Sequence, residues 1–369
     1  MPAIRGKVTC TARAMTTTIS VADIARNPTW HLYDIDLQRG ELHFLETTPE
    51  TFTISAFLDN RIAHTRERLC GFDIDSVITA FRQLPPQQAQ MDFLFHSSFC
   101  CSSLLARSLQ FKDRTLVLRE PWVLRRLSDI RRARVVQGQV WGDQGKALVD
   151  LALTLLGKTF NASQSVLIKP THVANNLASD MLALRSSAKG ILLYSGLESF
   201  LVSNLKKPEE TKEKLPALAR IFDLETGYAR RFEHLSIENL GFLQLVVIVW
   251  HAQMLMFQEL LSSQAGPRLA TLDSATLLAD PTSTLEAATQ FLGYPVGRGE
   301  LAAIVAGPTW GTHAKDPFSA YSLGMRENEN REITERHSAE IRYVMRWAEK
   351  LFASQPHHFP PERALVTAA

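Results

Sequence analysis

The sequence predicts an α/β fold: a mainly parallel central sheet covered by helices on both faces, a three-layer sandwich preceded by an N-terminal hairpin and helix extension. Three observations predict it. Short apolar runs at 93–95, 115–118, 166–168, 191–194 and 268–272 alternate with segments of helical periodicity, the pattern of repeated strand–helix units. Several of these runs end in a polar loop from which a helix starts. The chain, 369 residues with 45% hydrophobic and 21% charged residues, is long enough to bury a large core in one domain or two.

The division expected from the sequence is a flexible N-terminus at 1–29, an extension and linker at 30–90, the main domain at 91–355 and a tail at 356–369. Residues 1–14 are basic, lack acids and have no apolar core of signal-peptide length. A transit peptide and a true start at Met15 both fit that composition. From 30 to 58 the chain carries strand signals. Tyr33, Ile35 and Leu37 alternate with Asp34 and Asp36 up to Arg39-Gly40, and Leu42 and Phe44 flank His43 beyond that turn. A hairpin follows from this pattern. Segments 57–62 and 73–81 are read as helical, and the proline-bearing stretch 84–90 as a linker.

The stretch 91–109, MDFLFHSSFCCSSLLARSL, organises the rest. The run Phe93-Leu94-Phe95 predicts a buried strand. Residues His96 to Ser103 are small or polar except Phe99, and helical spacing begins at Leu104 and Leu105. The first-turn N–H groups of a helix have no intrahelical partner, and its dipole adds partial positive charge there. A loop feeding such a helix suits an oxyanion, with Ser102 and Ser103 placed to cap the helix and touch it. The plainer alternative is an ordinary strand-to-helix connection with a serine cap.

In wording, FLFHSSFCCSSLLARSL resembles the phosphate loop of bacterial sulfotransferase-like P-loop proteins. There a strand leads through Gly-x-Pro-Arg/Lys-Ser-Gly-Thr-Thr/Ser into a Leu-Leu helix. Ser102-Ser103 match the hydroxyl pair and Leu104-Leu105 the helix start. Phe99 stands at the family's basic residue, Cys101 at its second glycine and Ser98 at its proline. The resemblance implies a P-loop three-layer sandwich, with His96, Ser97, Ser98, Phe99, Cys100, Cys101, Ser102 and Ser103 around the donor nucleotide.

Further along, strand 115–118 ends in Arg119-Glu120-Pro121. Ligands of open parallel sheets bind beyond the strands' carboxyl ends, which puts Arg119 and Glu120 among the candidates; a surface ion pair is the alternative. Arg125, Arg126, Arg131, Arg132 and Arg134 are read as a solvated helix flank. Gly157-Lys158-Thr159 is not a Walker A motif, because Ala152 stands where that motif needs glycine, and Gly157 is read as a helix C-cap. The third strand, 165–168, runs into Lys169-Pro170-Thr171-His172, which resembles the family's Leu-Lys-Ser-Pro-x-His. That likeness makes Lys169 the candidate for the cation missing from the loop and His172 a candidate proton acceptor.

The fourth strand, 190–194, is followed by SGLESFLVSNLKK. In the family an arginine at this strand end and a serine eight residues later hold the donor's 3′-phosphate. Ser203 matches the serine and Ser195 replaces the arginine, with Lys206 and Lys207 one turn on. Segment 209–221 is charged and helical, and 235–261 is read as a long buried helix. After the fifth strand come Asp280-Pro281 and Phe291-Leu292-Gly293, which match the family's Asp-Pro and Phe-Leu-Gly. Asp280 is expected to cap a helix that Pro281 begins. Residues 311–326 show no periodicity and are read as a basic loop, in which the resemblance assigns Lys315 and Arg326 to the 3′-phosphate. An amphipathic helix at 333–351 closes the fold.

A formal charge of +2 argues against broad nucleic-acid binding. Cys10, Cys70, Cys100 and Cys101 give no disulfide framework and no zinc spacing, so a reducing cytoplasm is expected. No metal is expected. The most apolar run, 243–256, is interrupted by Gln244, His251 and Gln253, and no membrane span is expected. The resemblance implies transfer of a sulfuryl group from 3′-phosphoadenosine 5′-phosphosulfate (PAPS) to a hydroxyl or amine of a small-molecule or peptide acceptor. Lys169 would offset charge on the bridging oxygen, and His172 or Glu120 would take the acceptor's proton. Two rivals stay open: a nucleoside-triphosphate phosphotransferase on the same fold, and a non-catalytic nucleotide- or anion-binding scaffold.

Overall fold

The N-terminal hairpin forms as its alternation predicts, and it belongs to a larger sheet. In the computed structural model of the chain, residues 9–10, 19–62, 69–83, 89–232, 235–313, 316–320, 322–353 and 362–366 are described. Strands β1 (Thr9–Cys10), β2 (Trp30–Asp36), β3 (Glu41–Glu46) and β4 (Leu69–Asp73) pair antiparallel in the order β1-β4-β3-β2. β4, broken by Gly71, carries too little alternation to be read from the sequence. Segment 57–62 is not the expected helix. Leu58 donates its N–H to Arg119 O and accepts from Trp122 N–H, while Asp59 takes the Arg61 N–H. Backbone groups committed to neighbours cannot make helical bonds. The helix lies instead at Pro49–Ile54, entered through a Thr48/Thr51 capping box.

The central sheet has five parallel strands, in the order β6-β7-β5-β8-β9. They are β5 (Met91–His96), β6 (Thr115–Arg119), β7 (Ser165–Lys169), β8 (Gly190–Tyr194) and β9 (Leu269–Asp273), within a residue or two of the expected runs. Helices flank them, so the molecule is a mixed α/β protein with a parallel central sheet.

By their internal contacts the residues divide into two compact units. The first comprises Met1–Leu94 and Leu109–Lys189. Its core gathers Leu32, Phe44, Phe72, Phe93, Val117 and Leu167. Arg131 and Arg132, expected on a solvated flank, are clamps. Arg132 donates to Val173 O and Asp129; Arg131 donates to Asn176 O and Asp180. They tie helix Trp122–Val136 to the short 3₁₀ helix His172–Leu177. Gly157 caps helix Gly142–Leu156 as expected, and Lys158 beyond it is buried. The Lys158 ammonium donates to the carbonyls of Ile24, Asn27 and Trp30.

The second unit comprises Phe95–Ser108 and Gly190–Ala369. Its core is built around helix Phe242–Ser262, which starts later than the expected 235 because Gly241 caps it and Gln244 bonds back to the Gly241 N–H. By length and composition this helix could cross a membrane, yet 78% of its most apolar window is buried in the fold. Asp280 caps helix Pro281–Leu292, with Pro281 in its first turn, and Gly293 ends it at φ 81. The expected loop at 311–326 contains regular elements: β10 (Thr312–His313) pairs with β11 (Asp316–Ala320), and Arg326 lies on helix Leu323–Arg336. The expected closing helix breaks at His337, and Ser338–Phe352 continues as a second helix. Residues 362–365 lie along β9: Thr271 donates to Arg363 O and accepts from Leu365 N–H.

Candidate functional site

The loop expected to hold an anion lies between β5 and helix Ser102–Ser108. Ser98, Phe99 and Cys101 occupy the left-handed region at φ 64, 48 and 61. None is glycine, so each carries a steric cost. Such residues persist only where the surroundings impose them, and they cluster at ligand sites. Two bonds hold the start of the loop. Ser97 N–H donates to Leu193 O at 3.0 Å, and Ser98 N–H donates to Nδ1 of the buried His96 at 3.2 Å. That bond leaves the proton of a neutral His96 on Nε2. Ser97 and Cys100 are fully buried, and Ser102 and Ser103 nearly so; Ser98, Phe99 and Cys101 are half-buried.

The loop's own sequence has no cation, but the fold brings cations to it. Arg326 Nη1 lies 2.8 Å from Cys101 Sγ. Lys207 Nζ sits 5.0 Å from the centre of the Phe99 ring, which also meets Phe200 edge-on at 5.5 Å. Lys206 binds Asn330 Oδ1 at 2.8 Å and Glu329 Oε2 at 3.4 Å. Burial pushes the Cys101 thiol above its usual range, while Arg326 and Lys206 act in the opposite sense. Phe200 gave no signal in the sequence, since a phenylalanine at helical spacing is ordinary core. Trp310, whose indole N–H donates to Ser108 Oγ at 3.1 Å, was missed for want of any local pattern.

Other expected donor contacts are placed differently. Ser195, in the family's arginine position, is fully buried, and its carbonyl accepts from the Trp250 indole at 2.7 Å. Ser203 is half-buried on helix Leu197–Leu205. Lys315 lies outside the described residues. Tyr194 and Asp273 face one another in register at the carboxyl ends of β8 and β9. Burial raises the Asp273 pKa; burial and then the Asp273 charge push Tyr194 up to about 12.

In the first unit, Lys169 does not point into open space. Its side chain is 0% exposed, and its ammonium bonds Glu120 Oε1 at 2.5 Å. It also lies 5.7 Å from the Phe57 ring centre. Glu120, whose side chain is 17% exposed, has φ 55, and its N–H donates to Lys169 O at 2.6 Å. The ends of β6 and β7 therefore close on one another through backbone and side chain together. Arg119 is buried and donates to the carbonyls of Phe52 and Thr53, at the end of helix Pro49–Ile54. It is a helix-end clamp. His172 is half-buried at the start of its turn. Among the described residues no group of three or more His, Cys, Asp or Glu side chains could hold a metal ion.

These features define a class: a parallel α/β protein with a strained serine-rich loop feeding a helix, and cations brought to that loop from elsewhere in the chain. No protein-family model matches the sequence, and no curated protein matches it. Among solved structures it is similar to the sulfotransferase domain from the curacin biosynthetic pathway, at 14% identity and a TM-score of 0.39, over 68% of this chain and 98% of that one. It is also similar to a sulfotransferase from Mycobacterium avium, at 10% identity and a TM-score of 0.30, over 55% of this chain and 49% of that one.

Proposed function

We propose that the chain is a sulfotransferase that moves a sulfuryl group from PAPS to a hydroxyl or amine of a small-molecule or peptide acceptor. One observation carries this reading. A loop at a strand's carboxyl end holds three non-glycine residues at positive φ, and Arg326 and Lys207 lie against it. Left-handed turns of this kind point successive N–H groups into one concavity, which suits a tetrahedral oxyanion. Transfer of a sulfuryl group asks mainly for positioning and for charge stabilisation. The Ser97 and Ser98 N–H groups are bound to Leu193 O and His96 Nδ1, so the later part of the loop, 99–101, takes the donor's phosphosulfate end.

Melting with a ligand panel tests the reading. PAPS, or its desulfated 3′,5′-bisphosphate product, should stabilise the protein more than ATP with magnesium does. At about 100 times the dissociation constant the gain is roughly 2.7 kcal/mol. A larger effect of ATP with magnesium favours the phosphotransferase. No effect of either favours the scaffold. Transfer of labelled sulfate to a panel of hydroxyl and amine acceptors then tests the chemistry.

A further inference from the structure

The loop residue expected to be basic is Phe99, and the ammonium expected in its place, Lys169, is bound to Glu120. Charge that gathers on a leaving oxygen still needs a hydrogen-bond donor. In the second unit one reaches the loop from a helix 225 positions further along the chain. We propose that Arg326 supplies the cation the loop lacks: its guanidinium, held against Cys101, binds the bridging oxygen of a phosphosulfate donor and stabilises the charge that forms there as the sulfuryl group departs. This inference rests on the sulfuryl-transfer reading above. It moves Arg326 from the 3′-phosphate, where the resemblance put it, to the reacting end.

Three observations support the assignment. First, position. Nη1 of Arg326 touches the sulfur of a loop residue that is itself at φ 61. Arg326 is half-buried while Gly324, Met325, Glu327 and Asn328 around it are exposed. Second, capacity. A thiol sulfur is a weak acceptor and engages one of five guanidinium N–H donors. Among the described residues no carboxylate pairs with Arg326, in contrast to Lys169. Third, support. Ser322 caps the helix through the Met325 N–H at 3.2 Å. Asn330 lies four residues beyond Arg326, on the same helix face, and Lys206 holds it at 2.8 Å. Lys206 is thus a positioning residue, fixing the helix that carries Arg326.

In the transfer step the S–O bond to the donor's phosphate breaks, and its electron pair stays on the phosphate oxygen. A new bond forms between sulfur and the acceptor oxygen or nitrogen. The acceptor's proton leaves to a base or to water. Arg326 gains and loses nothing; it donates hydrogen bonds more strongly as the oxygen becomes more negative.

The test uses the full chain with Arg326→Ala, Arg326→Lys, Phe99→Lys and the double variant Phe99→Lys/Arg326→Ala. With PAPS as donor, Arg326→Ala should lower kcat by about 100- to 1,000-fold, as loss of a transition-state donor does. Affinity for the desulfated 3′,5′-bisphosphate should change by less than about 3-fold. Arg326→Lys should recover part of the loss. Phe99→Lys, which returns a cation to the loop, should recover about 10-fold or more in the Arg326→Ala background. Unchanged kcat in Arg326→Ala overturns the proposal, and so does a loss confined to bisphosphate affinity.

A second readout needs no turnover: iodoacetamide alkylation of Cys101, followed by peptide mass. Inorganic sulfate on the guanidinium should slow this alkylation several-fold in the wild type and leave it unchanged in Arg326→Ala. Sulfate that acts equally on both proteins overturns the site. A wild type that shows the Arg326-dependent sulfate effect yet transfers no sulfuryl group overturns the transferase reading, and the catalytic role with it. A wild type that transfers while Arg326→Ala keeps its kcat overturns the Arg326 assignment alone.

Discussion

Lys169 in the first unit and Arg326 in the second are both cations that the resemblance assigns to the sulfate donor, Lys169 to its bridging oxygen and Arg326 to its 3′-phosphate. The fold treats them in opposite ways. Lys169 is buried completely and neutralised by Glu120 at 2.5 Å. Arg326 is half-buried and rests on a thiol. A buried ammonium must be compensated, by a carboxylate or, as at Lys158, by carbonyls, because leaving water costs several kcal/mol per ion. The pairing with Glu120 meets that requirement at Lys169. A half-exposed guanidinium carries no such requirement and stays available to an incoming anion. The contrast teaches that two cations of equal charge meet different partners in the fold, one a carboxylate and one a thiol, which their positions along the chain do not show.

Four measurements can break or sharpen that contrast. The largest effect belongs to Lys169. Lys169→Ala leaves the mostly buried Glu120 carboxylate without its ammonium and should cost about 3–5 kcal/mol in urea unfolding. A loss under about 1 kcal/mol would show that the pair is not structural. Next comes the C-terminal segment. Thr271 exchanges two backbone bonds with Arg363 and Leu365, and its hydroxyl donates to Glu362 O. Deleting 362–369 should cost about 1–2 kcal/mol. It should also expose the β9 edge, seen as concentration-dependent association by light scattering. A truncated chain as monodisperse as the full one would refute edge protection.

Lys158 gives a test by pH. Burial lowers its pKa to about 7, against roughly 10.4 in an unfolded chain. Between those values the unfolded state holds more protons, so the contribution of this group to stability rises with pH. It is complete above about 10.4 and lost as pH falls through 7. Wild type minus Lys158→Met should therefore become more favourable from pH 7 to pH 10. A flat difference would mean that the three carbonyls keep the ammonium charged throughout. The smallest effect is that of Arg326→Ala on folding, which should stay within about 0.5 kcal/mol in the same urea experiment. A loss of several kcal/mol would place Arg326 with Lys169 as a structural cation and erase the contrast.

Much of the architecture was legible because it is local. The five central strands are continuous apolar runs, and their ends fell within a residue or two of expectation. The Asp280 cap, the Pro281 helix start and the Gly293 stop were equally readable, since each is a bond or a dihedral requirement within a few residues. What failed was set at a distance. Segment 57–62 has helix-compatible residues, but Leu58 spends its backbone on Arg119 and Trp122. The arginines of helix Trp122–Val136 looked like a solvated flank because their acceptors, Val173 and Asn176, lie more than 40 positions away.

The sequence by itself determined the strand–helix order, the serine-rich loop after β5 and the absence of a cation within it. Those follow from hydrophobic period, turn chemistry and residue identity, all short-range properties. Only the tertiary structure decided where the charges went. It drew Lys169 onto Glu120 and brought Arg326 across 225 positions to Cys101. Coulomb attraction and desolvation depend on separation in space, and separation along the chain does not encode it.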